Sequence, residues 1–212
     1  MVAGAQNPSA DVRAAAESER SELQEVVQMK PLKTAGDAIV IGLLLGIVSL
    51  VYAVVKILPY SPDQAAMLQA LSGMSTFVTV VALISIVITF FVYYGFVTLG
   101  NKTKNKLIIY VSWLLMIFLI LQTLLTSVFR LPSLSTSQAS AITVIILSIL
   151  MLLMGIGLVQ IRKKVSLANA AGILYIISGA TLFILIGAIV HIAALILAAI
   201  MFIKASRTFK EK

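Results

Sequence analysis

Apolar residues in this chain are gathered into long unbroken blocks, and short basic runs separate those blocks. A block of about 18 or more apolar residues can cross a bilayer as a helix. Each helical residue adds about 1.5 Å, and the hydrocarbon core is roughly 30 Å thick. No water inside the bilayer can satisfy the backbone, so a helix that closes its own hydrogen bonds is required. Composition agrees with this reading. The chain is 60% hydrophobic and 11% charged, against roughly 45–50% and about 25% in a soluble domain. A soluble fold of 212 residues could not hide that much apolar surface. The expected fold class is all-α, a polytopic transmembrane helical bundle.

The blocks set the organisation. Residues 1–36 form a polar arm, and its stretch SADVRAAAESERSELQEVVQMK is rich in good helix formers, with Ser9 or Asp11 as a cap. The first apolar block begins too late for a signal peptide. The arm reads as a solvated cytoplasmic helix, with a docking arm for a protein partner as the sharper alternative. A first span is expected over about residues 37–57, stopped at Leu58–Pro59. In SPDQAAMLQALSGM, residues Ser61, Pro62 and Gln64 supply a cap, a first-turn proline and a capping-box partner. That helix is expected to lie at the membrane surface, with a bend near Ser72–Gly73. Further spans are expected over about residues 75–99, 107–129 and 139–160, joined by GNKTKNK and RLPSLSTSQ and followed by IRKKVS.

The remaining apolar stretch, about residues 168–203, makes either one very long helix or two short spans. Charge placement discriminates between them. With the N-terminus inside, Arg13, Arg20, Lys30, Lys33, Lys102, Lys104, Lys106, Arg162, Lys163 and Lys164 are inside, and only Lys56 and Arg130 are outside. The basic tail, residues 205–212, belongs inside by the same rule, and that requires an even number of spans. The stretch is therefore divided near Gly187–Ala188 into about residues 168–186 and 188–204, giving six spans with both termini cytoplasmic. The net charge of +8 is then explained by anionic lipid headgroups rather than by nucleic acid.

The run GILYIISGATLFILIGAIVHIAALILAAIMFIKAS resembles the closing hairpin of small archaeal and other prokaryotic integral membrane proteins of unknown function. The resemblance covers roughly the last fifth of the chain. It implies a prokaryotic cell membrane and carries no activity or site residues.

Chemistry-bearing residues are few. Cysteine is absent, which excludes disulfides, thiolate metal sites and cysteine nucleophiles. Ionisable groups inside a membrane mark pumps and transporters because burying charge in lipid is costly. Asp37 and Lys56 sit at the two ends of the first span, where capping and snorkelling account for them. His191 is the remaining candidate. In the six-span arrangement it lies within about a turn of the outer surface, and deeper burial would strengthen a functional reading. No further ligands accompany it, and no hydrolytic or phosphate-binding motif is present, so no metal, cofactor or enzymatic activity is expected.

Small and hydroxylated residues carry more information. Ala38, Gly42, Gly46, Ser49 and Ala53 follow helical spacing along the first span and include a GxxxG, a close-packing stripe. Gly155, Gly157, Gly172, Gly179 and Gly187 read the same way. Along the second span, Ser75, Thr79, Ala82, Ser85, Thr89 and Tyr93 share a face. That face either packs between helices, its hydroxyls bonded to carbonyls one turn back, or forms the polar wall of a path. The functions that follow are an accessory membrane protein acting through helix packing and a partner or a second copy, or a small transporter or channel. A lipid-binding role for the basic loops is the third.

Overall fold

The computed structural model describes residues 8–57, 75–128, 137–182 and 184–209. Six helices account for them, and no strand occurs among the described residues. They are α1 (Pro8–Ile57), α2 (Ser75–Thr103), α3 (Lys106–Thr123), α4 (Ser137–Gln160), α5 (Ala168–Thr181) and α6 (Leu185–Thr208). Helix α3 runs on into a π-helical segment, Leu124–Val128. Lys30–Lys56, Ser75–Thr103, Lys106–Ser127, Ala141–Gln160 and Ile189–Thr208 are each long and apolar enough to cross a membrane. The fold is an all-α helical bundle. The expected surface helix with its bend near Ser72–Gly73, residues 129–136 and the last three residues lie outside the described residues.

Each helix packs on the next in sequence, and α6 returns to α1, so the bundle closes as a ring. The outward surface is aliphatic. Val40, Ile41, Leu44, Ile47 and Val48 on α1, Leu114 and Ile117 on α3, and Ile189, Ile192 and Ile196 on α6 are all exposed. Such a continuous apolar surface is stable only against lipid. The inward surface uses small residues. Ala194, Ala198, Ala199 and Ala205 are buried on α6, and on α2 a Cβ at Gly95 would collide with the Ala35 side chain of α1. Lipid tails are as apolar as leucine, so close packing rather than hydrophobic burial holds helices together here.

The basic runs are gathered at one end of the bundle. Asn105 caps α3 by accepting from the Ile108 amide at 3.2 Å, and its amide donates to Gly157 O at 3.3 Å and Gln160 Oε1 at 3.0 Å. Lys164 Nζ donates to Thr103 O at 2.8 Å, placing a cation on the carbonyl end of α2. Gly36 of α1 lies against Ala199 O and Ile203 of α6, which brings Lys204 and Arg207 to the same end as Lys33.

Several boundaries differ from the sequence reading. The arm and the first span are one helix with Pro31 inside it, and the buried face already includes Leu32 and Ala35, before residue 37. No glycine–proline break separates the two parts, and a single proline removes only one helical hydrogen bond. Helix α2 continues to Thr103 instead of ending near Leu99. The last apolar stretch is divided, but at Leu182–Ile184 rather than at Gly187–Ala188. Ile184 takes the extended conformation that turns the chain, with its amide bonded to Thr181 O at 3.0 Å. Gly187 sits just beyond, where a Cβ would strike the Thr181 carbonyl, so it permits the tight hairpin without being the break. The two arms are consequently unequal, 14 residues in α5 and 24 in α6.

Candidate functional site

Ser85, Thr89 and Tyr93 recur every four residues along α2 and so lie above one another on one face. That face is turned toward α1, α3 and α6, where it walls a cavity of about 260 Å³. Ile39, Gly42 and Leu43 contribute from α1, Leu119 from α3, and His191 and Leu195 from α6. Gly42 makes room on the α1 side, since a Cβ there would already stand 3.1 Å from Ile88 Cγ2. The polar groups at this cavity are thus two hydroxyls, a phenol and an imidazole on a mainly aliphatic lining.

His191 is held by a neighbouring ring rather than by a hydrogen bond. Its imidazole meets Tyr175 of α5 edge-to-face, with centroids 5.9 Å apart and an interplanar angle of 79°. Its Nδ1 is buried and has no hydrogen-bond partner among the described residues, and the same holds for Tyr175 Oη and Ser148 Oγ. Buried polar atoms are nearly always satisfied, so His191 is a residue of the cavity lining with hydrogen-bonding capacity left unused, although its Nδ1 is itself covered by protein. Ser178, also buried, does find partners. It donates to Gly187 O at 3.3 Å and lies 3.8 Å from Met151 Sδ.

Toward the basic end, aromatic rings close the interior. Phe96 meets Phe202 at 4.6 Å and Tyr175 at 6.0 Å between centroids, and all three are fully buried. Tyr93 approaches Phe96 at 6.1 Å and joins the cavity wall to this plug. Phe202 is eleven residues beyond His191 on α6, about 16 Å along the axis. The cavity therefore lies on the far side of the plug from the basic loops.

The structure does not bring the rest of the hydroxyl face to the cavity. Thr79 Oγ1 donates to Ser75 O at 2.9 Å near the start of α2, about one and a half to three turns before Ser85. Ala82 is buried and does not line the cavity. Asp37 is exposed on α1 and is not part of the lining.

Of the first-span stripe, Ala38 is buried, Gly42 meets α2, Ser49 Oγ bonds Leu45 O at 2.7 Å and Ala53 is half-buried. Gly46 has no atom within 4 Å of its would-be Cβ. The closest approaches of α1 are instead at Ala35, against Gly95, and at Gly36, against α6. The adjacent small residues Ala35 and Gly36 were the available signal, hidden by their position in a segment read as polar arm. Between α4 and α5, Gly155 and Gly172 face each other so closely that a Cβ on either would stand 2.6–2.7 Å from the other's carbonyl oxygen.

Among the described residues no three His, Cys, Asp or Glu side chains come together to hold a metal ion. What the cavity can do is accept and orient a small guest through hydrogen bonds. No protein-family model, no curated protein and no solved structure matches the chain.

Proposed function

We propose that this chain is a small membrane carrier that binds a mainly apolar molecule bearing one or two hydrogen-bonding groups in the cavity between α1, α2, α3 and α6. The carrying observation is the cavity itself, where His191 joins Ser85, Thr89 and Tyr93 on an otherwise aliphatic lining. Size supports a small guest. A cavity of roughly 150 Å³ takes benzene, so about 260 Å³ suits one ring or a short chain with polar substituents. The aromatic plug supports a carrier with a barrier on one side rather than an open pore. Hydroxyl, phenol and imidazole groups without a neighbouring carboxylate in the lining support binding rather than catalysis. The gathering of basic residues at one end supports a cytoplasmic location for that end and for both termini in a cell membrane, which puts the cavity in the outer half.

A second reading is an accessory protein that binds a partner or a second copy. Its support is Gly46, the half of the first-span GxxxG that meets none of the described residues of other helices, set in an exposed aliphatic face. One preparation separates the two readings. The full chain is purified in mild detergent, bound molecules are identified by mass spectrometry, and candidate solutes are tested for flux in liposomes. The carrier reading expects a small molecule in the purified protein. It also expects flux that falls about tenfold in Thr89→Val, from one lost hydrogen bond, and is unchanged in Thr79→Val. No bound small molecule and no flux, with a stoichiometric protein partner instead, would reject it in favour of the accessory reading.

A further inference from the structure

A second concave feature lies on the outer surface at the basic end, away from the cavity. It is an open groove of about 520 Å³ between α4 and α5, walled by Ile156, Val159 and Ile176 and rimmed by Gln160, Arg162 and Lys163. We propose that it holds one anionic phospholipid, its acyl chain along the aliphatic walls and its phosphate at Arg162 and Lys163.

Three features of the groove support that occupant. The first is charge. Arg162 and Lys163 are both exposed, while the adjacent Lys164 is engaged with Thr103 O. No acidic residue occurs in the runs 101–106 or 161–167, so nothing in them neutralises the rim. Basic pockets between membrane helices at a cytoplasmic face suit acidic headgroups.

The second is shape. The Gly155–Gly172 contact draws the two backbones together, and the Ile176 amide lies 2.9 Å from where a Gly155 Cβ would be. The larger side chains that flank this seam stand out as walls. Ile176 is eight residues from the start of α5, about 12 Å into the membrane from the basic end. A lipid chain can therefore follow the groove from a headgroup at its rim.

The third is length. Helix α5 has 14 residues, about 21 Å, against roughly 30 Å of hydrocarbon. A short helix is accommodated by local thinning and by snorkelling of flanking cations. Both bring lipid phosphates to the level of Arg162 and Lys163. A protein helix in the same groove would need acidic residues of its own in the headgroup layer to answer Arg162 and Lys163, which an acidic lipid does without any further partner.

The test is native mass spectrometry of the full chain in neutral detergent, titrated with phosphatidylglycerol and separately with phosphatidylcholine. The parent should retain one phosphatidylglycerol in clear preference. In Arg162→Gln/Lys163→Gln that preference should fall ~25-fold, at about fivefold for each interfacial charge. Ile156→Trp, at a residue 43% exposed, fills the groove and leaves the charges in place, and it too should lose the bound lipid. Lys104→Gln/Lys106→Gln should keep it. Equal loss in the Lys104/Lys106 variant, or retention in Ile156→Trp, would overturn the groove and leave only a diffuse basic surface. The parent binding both lipids equally would overturn it as well.

Discussion

Adding one methyl group at Gly155 should separate α4 from α5. In Gly155→Ala the new Cβ would lie 2.6 Å from Gly172 O and 2.9 Å from the Ile176 amide nitrogen, both backbone atoms that no rotamer change can move. Ordinary contact begins near 3.4 Å, so α5 must retreat by about 0.8 Å. A gap of that size forfeits about a quarter to a half of each dispersion well of 0.1–0.2 kcal/mol. Over the roughly fifty atom pairs typical of a leucine-sized contact, the loss is about 1–5 kcal/mol. The better helix propensity of alanine returns up to about 1 kcal/mol, leaving a net cost centred on about 2 kcal/mol. Gly172→Ala pushes on the same seam from the other side, with its Cβ 2.7 Å from Gly155 O. Once either methyl has opened the seam, the second finds it already open. The double variant should therefore cost little more than one single variant, well short of their sum. The assay is reversible unfolding in mixed micelles with increasing dodecyl sulfate, followed by far-UV circular dichroism, with Gly46→Ala as the control expected within about 0.5 kcal/mol of the parent. Gly155→Ala as harmless as Gly46→Ala, or strict additivity in the double variant, would refute the packing argument. Because α5 carries Tyr175 against His191, the same variants should also weaken guest binding in the cavity.

Asn105→Ala removes the α3 cap and two hydrogen bonds to α4, and should cost about 1–2 kcal/mol in the same titration. Asn105→Asp, which keeps the cap alone, should fall between that variant and the parent, and a parent-like Asn105→Ala would show the link to α4 to be idle. A topology reporter fused after Lys212 should report the same side as one inserted beside Lys163, because the α5–α6 hairpin returns the chain to the basic end. Opposite sides would mean that the hairpin does not hold in the membrane.

The helices were legible because a bilayer leaves so few choices, and the tight seams at Gly155, Gly172 and Gly179 were legible because glycine lets helix backbones approach, although Gly46, read the same way, meets no described neighbour. The hydroxyl face of α2 could also be read from spacing. Which part of it meets a cavity could not, since that depends on how α1 and α6 cross it. His191 shows the point most sharply. A turn placed at Gly187 puts it near the surface, whereas the actual turn at Leu182–Ile184 comes about three residues earlier and carries it about 5 Å deeper, to the cavity wall. Three residues are within the ordinary uncertainty of a helix boundary read from hydropathy, yet they move this imidazole from beside the turn to the cavity wall. The α1–α2 crossing was missed for a related reason. Ala35 and Gly36 stand next to Asp37 and Lys33, and local charge drew the boundary beyond them, although only one face of that turn meets its neighbours.

The chemistry of the cavity also limits what a carrier of this design can take. Moving an ion from water into an apolar site costs many kcal/mol unless a counter-charge or several strong hydrogen bonds meet it. The groups at this cavity, Ser85, Thr89, Tyr93 and His191, include no carboxylate and no lysine or arginine. Asp37, the acidic residue nearest to it along α1, is exposed and outside the lining. A neutral guest whose polar groups meet the imidazole and a hydroxyl recovers one or two hydrogen bonds at about 1 kcal/mol each, and its apolar body gains contact with Ile39, Leu43 and Leu195. An inorganic ion recovers neither charge compensation nor apolar contact, and a pump driven by one would need a group in the membrane that this lining lacks. Under the carrier reading the guest is therefore a neutral amphiphile, and flux assays belong with small alcohols, phenols and amides before ions.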